Sequence, residues 1–441
     1  MKVSQIGLIS KKIDELDEQF PVQDMLVKTG QIDQFSSGIY AYGHVPYLLK
    51  KNIDKVICDV LSKYNCSEVS LPILQPESIW IESGRLDKYV SDGVMFRSLN
   101  ENGNYCLAPT AEEAVVTYAK KRIFSHKQLP VTYFQIGAKF RNELRSRGFL
   151  LRGKAFDMMD AYSFDRNNEE FEKSYNRMKE AYMEIFKRLG LPVQAVAADS
   201  GAIGGSKSEE FMVISPIGED NILVDPKTNK ALNTELLEKD DAEEYLKENY
   251  GIENISNLEK KKAVELGHIF QLGDKYSKSM NATFQDEDNS YQNFIMGCYG
   301  IGVSRTLAMI YENSIIKNGD KFEGISLPLN IAPYAIYIIP KTDDNEKLEL
   351  ANKIYQELEN KNIPVLFDDR NDISIGAKIK DSKIVGTPYV IVLGKTLDEN
   401  KVIIENNKTG EKTEVSLDKL TSYIEKLEQV RKDNISLEEI I

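Results

Sequence analysis

The chain has 441 residues, enough for about two or three domains with large cores, and its 41% hydrophobic and 28% charged content is that of a globular protein. A net charge of −13 argues against a nonspecific nucleic-acid binder coated in positive charge, although "KKRIFSHK", "RSRGFLLRGK" and "GAKIKDSK" are locally basic, as solvated helix faces also are. No apolar run reaches the length of a membrane span, no secretory leader is evident, and four scattered cysteines with three histidines offer no Cys/His metal site, so a reduced cytoplasmic protein without a membrane partner is expected.

In chain order, Tyr47 to Tyr64 alternates apolar and charged residues at helical spacing, and "CSEVSLPILQP" follows as a strand ending at Pro72. "PVTYFQIGAKFRNEL" and "FLLRGKAFDMMDAYSF" read as an antiparallel strand pair around the loop "RSRG". "NEEFEKSYNRMKEAYMEIFKRLG" is a helix ending at Gly190, and "PVQAVAADS" a strand. Residues 216–262 are very charged and read as a small helical insertion or a surface excursion. The core pattern resumes at "AVELGHIFQLGDKYS". Beyond "SLPLNIAPY", strands and helices alternate through "AIYIIP", "NEKLELANKIYQELENKN", "IPVLFDD", "GAKIKDSKIVG" and "PYVIVLG", a compact α/β domain with a mostly parallel sheet.

"GCYGIGVSRTLAMI" raises the question of a phosphate loop. A Walker A turn needs Lys then Ser or Thr after its last Gly, and here Val303, Ser304 and Arg305 stand there. The dinucleotide fingerprint needs a Gly where Arg305 sits. A strand passing tightly into a helix is the plain reading of this stretch alone.

Taken together, the pieces resemble class II aminoacyl-tRNA synthetases, most closely the bacterial-type prolyl enzymes, through about residue 425. A long helix and a strand reaching Pro72 match the family's first motif, which it uses at a dimer interface. Phe140-Arg141-Asn142-Glu143, followed by Arg152 and Phe156, match the second, and "GIGVSR" with Arg305 the third. Thr110 and Glu112 in "APTAEEA", with "GHIFQLGDKYS" and "GGSKSEEF", match the prolyl type. The implied fold is α+β. A class II catalytic domain, an antiparallel sheet with flanking helices, covers 1–215 and 263–328. The insertion 216–262 stands in place of an editing domain, an α/β anticodon-binding domain covers 330–425, and 426–441 form a tail.

The residue types suit the chemistry that the resemblance implies. Proline's carboxylate attacks the α-phosphate of ATP, and the prolyl group then passes to the 3′ end of tRNA(Pro). No protein nucleophile is needed; two anions must be placed and their charge spread. Arg141 offers planar donors to the α-phosphate and the carboxylate, and Arg305 shares the catalytic work. Glu143, two residues along a strand, points the same way as Arg141. By the resemblance, Glu143 takes the adenine amino group, Phe156 stacks under the ring, Arg152 and Arg305 hold the terminal phosphates with Mg²⁺, and Glu265 and His268 line the ATP side. Thr110 and Glu112 accept from proline's ammonium, while Phe270, Met158 and Tyr162 wall its ring. Asp368, Asp369, Arg370, Lys378 and Lys380 are expected to face the anticodon. A homodimer through the Pro72 element is expected.

Bacterial-type prolyl enzymes commonly carry a large alanyl-tRNA editing domain between the second and third motifs. The 216–262 stretch is too short for one, so no editing in cis is expected and a separate deacylase is implied. Three positions depart locally: Ala111 and Glu209 replace histidines, and Ala155 replaces an acid. They leave room for a paralogue that adenylates proline or a similar amino acid for a non-tRNA acceptor, or for a non-catalytic RNA-binding relative. The C-terminal domain weighs against the first, and joint retention of Arg141, Glu143, Arg305, Thr110 and Glu112 against the second.

Overall fold

A computed structural model describes the chain apart from residues 11–14, 102, 145, 147, 200–202, 204–206, 239–241, 253–254, 256–257, 342 and 434–441. It divides into two compact units, Ser37–Ile39 with Asp54–Thr306, and Met1–Ser36 with Tyr40–Ile53 and Leu307–Ile441.

The first unit is built on a nine-stranded sheet. Its strands in chain order are β1 (Cys66–Glu68), β2 (Val131–Phe140), β3 (Ala155–Asp165), β4 (Val193–Ala198), β5 (Ser208–Ile214), β6 (Asp220–Val224), β7 (Ala231–Asn233), β8 (Glu259–Gly273) and β9 (Ile295–Gly302). Their spatial order is β5-β4-β7-β6-β8-β9-β3-β2-β1. β8 also pairs antiparallel with β5, so β5, β4, β7, β6 and β8 close on themselves around Val196, Met212, Ile222, Val224, Ala231 and Ala263. The expected antiparallel pair is β2 with β3, in register from Val131↔Phe164 to Phe140↔Ala155.

One departure concerns residues 216–262, read as a small helical insertion or a surface excursion. β6 pairs with β8, and β7 pairs with β6 and β4, so part of this stretch is sheet, with a helix at Ala242–Tyr250. Ile222, Val224, Ala231 and Leu232 are buried in two short apolar stretches, and the charged residues around them masked the strands. "CSEVSLPILQP" also differs: only Cys66–Glu68 joins the large sheet, and Leu74–Pro76 pairs elsewhere.

The long helix α1 (Asn168–Arg188) starts where Asn167 accepts from the Glu170 N–H at 3.0 Å and ends before Gly190, whose φ of +71° suits glycine. It buries Phe171, Tyr175, Met178, Tyr182, Ile185 and Phe186 against the sheet. Each such side chain contributes about 1.5–3 kcal/mol. This leaves the opposite sheet face open.

In the second unit, five strands take the order Val365–Phe367, Ile336–Pro340, Tyr389–Leu393, Lys401–Asn406, Lys412–Ser416. The first three are parallel and the last two form an added antiparallel hairpin. Helices Asn345–Asn360 and Leu417–Asp433 bury Ala351, Leu358, Leu420 and Ile424 in its core.

Candidate active site

On the open sheet face lies a cavity of about 200 Å³. The period of a strand decides its floor. On β3, Phe156, Met158, Asp160 and Tyr162 all line it; on β9, Cys298, Gly300 and Gly302 do, opposite Tyr162, Asp160 and Met158 respectively. His268 and Phe270 of β8 line the far side. Glycine at 300 and 302 removes two side chains from the floor: an added Cβ at Gly300 would meet nothing nearer than Met158 Sδ at 3.7 Å. Gly297 serves packing instead, because a Cβ there would fall 2.3 Å from Tyr299 Oη. Arg305 enters the cavity from the third position of α2 (Val303–Asn313).

Arg141 and Glu143 both line the cavity, but not by strand alternation as expected. β2 ends at Phe140; the Asn142 N–H donates to the Val94 carbonyl and the Glu143 N–H to the Arg141 carbonyl, so the chain turns here. Arg141 is fixed by Nε donating to the Pro109 carbonyl at 3.1 Å and lies 5.3 Å from the Phe156 ring centroid. Arg152, half-exposed at the rim, faces Glu219 at 3.7 Å.

At the other wall, Arg305 donates to Glu265 at 2.7 Å and through Nε to the Leu151 carbonyl at 2.7 Å. Glu265 also meets His268 Nδ1 at 3.3 Å, and Glu210 meets the same nitrogen at 3.6 Å. His268 stacks on Phe270 with centroids 3.8 Å apart. Burial pushes the Glu265 carboxyl up, but Arg305 and His268 outweigh it and hold it below its ordinary value. Burial, then the neighbouring Glu265 charge, push Glu210 up to about 9. Glu210, Glu265 and His268 place potential metal donors within 4.8 Å of one another.

Thr110 reaches the cavity, whereas Glu112 lies one layer behind it, fully buried. The Thr110 hydroxyl donates to Glu112 at 2.7 Å. Phe270 belongs both to the cavity wall and to the core cluster holding Tyr162 and Cys298. None of the three local departures lines the cavity. Ala111 is buried with its N–H donating to Tyr162 Oη at 3.2 Å, and Ala155 starts β3. Glu209 meets Lys179 of α1 at 2.5 Å, on the sheet face opposite its neighbour Glu210.

In the C-terminal unit the expectation of RNA-facing residues fails for Asp368 and Lys378, both buried. Asp368 accepts from Arg370 at 2.6 Å and from Tyr337 Oη at 2.7 Å, and Arg370 also reaches Asp381 at 2.8 Å. A short Asp-Asp-Arg run reads as a solvated loop, but here it is an internal ion network. Asp369 accepts from the Ser4 hydroxyl at 2.7 Å, and Lys380 is exposed. Pro72 is exposed, beside exposed Ile73 and Leu74. Gly204, Gly205 and Ser206 of "GGSKSEEF", and Arg145 and Arg147 of "RSRG", lie outside the described residues.

Sequence reasoning missed Asp160 and Cys298, which line the cavity, and Glu210 and Arg85 behind it, Arg85 donating to Glu112 at 3.0 Å. Asp160 shares strand parity with Phe156, Met158 and Tyr162, so its place was legible; it accepts from Lys139 at 2.5 Å and Gln135 at 2.9 Å. Cys298 lies two residues before Gly300 on the same face. Glu210 carried no signal beyond its place in "SEEF", and nothing in the spacing ties Arg85 to Glu112.

Residues 95–314 match the class II tRNA synthetase core domain family (G, H, P, S and T), and residues 335–427 the anticodon binding domain family. A protein called proline–tRNA ligase from Rickettsia bellii is 35% identical over 96% of this chain and 99% of its own length. A relative of the same name from the Wolbachia of Brugia malayi is 37% identical over 96% and 99%. A solved prolyl-tRNA synthetase from Cryptosporidium parvum, complexed with halofuginone and AMPPNP, matches with a TM-score of 0.75 at 18% identity, over 96% of this chain and 80% of that one. Among the described residues no helix is long and apolar enough to cross a membrane.

Proposed function

The chain belongs to the proline–tRNA ligase family of class II aminoacyl-tRNA synthetases, and on that premise we propose how its cavity activates L-proline with ATP and charges tRNA(Pro). The observation that carries the reading is the convergence of Arg141, Phe156, Thr110, Phe270 and Arg305 on one cavity from five separate stretches of chain.

The nucleotide half takes the Phe156 side. The adenine stacks on Phe156, Glu143 accepts from its amino group, and Gly300 and Gly302 let the nucleotide lie against the sheet. Arg141, clamped at Pro109, donates to the α-phosphate and to the substrate carboxylate, holding nucleophile and electrophile together. Arg152 and Arg305 hold the terminal phosphates and stabilise departing pyrophosphate. Mg²⁺ fits Glu265 and Glu210, an oxygen pair in which burial, and then the repulsion between the two, keeps one carboxyl protonated; a divalent cation would relieve that repulsion. When bound, the ion neutralises triphosphate charge.

The amino-acid half takes the Thr110 side. Glu112, behind Thr110, supplies the anion for the secondary ammonium, and Met158, Tyr162 and Phe270 enclose the ring. In the second step the tRNA hydroxyl attacks the prolyl carbonyl and expels AMP. In the C-terminal unit, Lys380 and Asp369 present polar groups that single-stranded bases can bind. The enzyme works as a cytoplasmic homodimer through the exposed Pro72, Ile73 and Leu74 edge. It does not edit in cis, a reading supported by residues 220–224 and 231–233, which complete the catalytic sheet, and a separate deacylase clears alanyl-tRNA.

A crystal structure with a non-hydrolysable prolyl-adenylate analogue tests these assignments. Adenine on Phe156, the phosphate linkage at Arg141 and the pyrrolidine ring beside Phe270 support them; the analogue bound elsewhere contradicts them.

A further inference from the structure

Behind the amino-acid end of the cavity, one guanidinium organises a buried cluster. The Arg85 side chain is only 6% exposed. Its Nη1 donates to Glu112 Oε2 at 3.0 Å and to Glu113 Oε1 at 3.1 Å, and its Nη2 to Tyr89 Oη. The rings of Trp80, Tyr89 and Tyr276 stand 5.2, 4.6 and 5.2 Å from it. Ser83 donates to Glu113 at 2.8 Å, so Glu113 has its own anchor.

The two oxygens of Glu112 are treated unequally. Oε2 takes both strong donors, Thr110 at 2.7 Å and Arg85 at 3.0 Å. Oε1 accepts from the thiol of Cys298, at 3.3 Å, and Cys298 itself lines the cavity. A thiol is a weak donor. Oε1 therefore keeps most of its accepting capacity, on the side of the substrate.

We propose that Arg85 is the positioning residue of the amino-acid site: it saturates one oxygen of Glu112 and so aims the other, through Thr110 and Cys298, at the substrate's secondary ammonium. Arg85 touches no substrate and acts only through Glu112, a role that rests on the proline site described above. The charges agree with the geometry. Burial pushes Glu112 up, but Arg85 and the Thr110 bond outweigh it and hold it below its ordinary value. Glu113, beside the same guanidinium, is pushed up to about 7 by burial. Arg85 thus keeps the substrate-facing carboxylate, of the two, ionised at neutral pH.

Arg85→Lys keeps the charge and loses the planar fork. In proline-dependent ATP–pyrophosphate exchange it is expected to raise the KM for proline about tenfold or more, with the KM for ATP within about twofold of wild type. The Arg85→Lys/Glu112→Gln double variant is expected to be no worse than Glu112→Gln alone, because both act on one contact. Should Arg85→Lys fail to fold, Tyr89→Phe, which removes one Arg85 partner, carries the same test with a smaller rise confined to proline. Equal rises in both KM values, or a fall in active enzyme with both KM values unchanged, overturn the positioning role. A rise with Glu112→Gln but none with Arg85→Lys overturns that role alone. No rise with either overturns the proline site as well.

Discussion

Glu210 and Glu265 approach the same nitrogen of His268, at 3.6 and 3.3 Å, yet their carboxyls shift in opposite directions. Arg305 is bonded to one and not the other. Glu210, pushed up to about 9, keeps its proton in the folded protein while the unfolded chain releases it near the ordinary carboxylate value. Stability is therefore lost as pH rises between those two values and is flat above. Glu210→Gln removes the effect. In metal-free buffer its melting temperature should gain on wild type from pH 5 to pH 9, by about 3 °C or more. A difference that does not change with pH would count against the like-charge pair.

Arg141 is held at the cavity by the Pro109 carbonyl and by Phe156. Arg141→Ala should lower the kcat/KM of pyrophosphate exchange by about 10³-fold or more, since one group serves both reactants. Its melting temperature should stay close to wild type. Exchange at the wild-type rate would refute the assignment.

The glycines of "GCYGIGVSR" separate by face. A methyl at Gly297 collides with Tyr299 and Phe171, so Gly297→Ala should destabilise the fold by about 1–3 kcal/mol. A methyl at Gly300 makes only an ordinary van der Waals contact, with Met158 Sδ at 3.7 Å, so Gly300→Ala should fold normally and raise the KM for ATP. Urea unfolding and exchange kinetics on both variants read the two effects; a reversed pattern would mean that the faces are misassigned.

Residues 220–224 and 231–233 complete a closed group of strands instead of forming a domain of their own. Purified enzyme should therefore leave preformed alanyl-tRNA(Pro) intact, with hydrolysis at the rate of buffer alone. Enzyme-dependent deacylation would show a hydrolytic site in this chain.

Much of this was legible in the sequence because the motifs fall where period and chemistry agree. "FRNEL", "APTAEEA" and "GIGVSR" are far apart in the chain, yet Arg141, Thr110 and Arg305 meet in one cavity. The failures have physical causes. Strand alternation could not be carried past Phe140, where backbone bonds turn the chain. High charge hid β6 and β7. Asp368 and Lys378, expected to face the anticodon, are instead buried as an ion pair, and composition does not report pairing. Arg85 was invisible because its partners, Glu112 and Glu113, come from another part of the chain.

The most direct measurement of the central claim is ATP–pyrophosphate exchange across the amino acids, followed by charging of tRNA(Pro), with the purified enzyme. Exchange should depend on proline, and charging should yield prolyl-tRNA(Pro). Exchange without charging would point to a non-tRNA acceptor, and absence of both would contradict the enzymatic reading altogether.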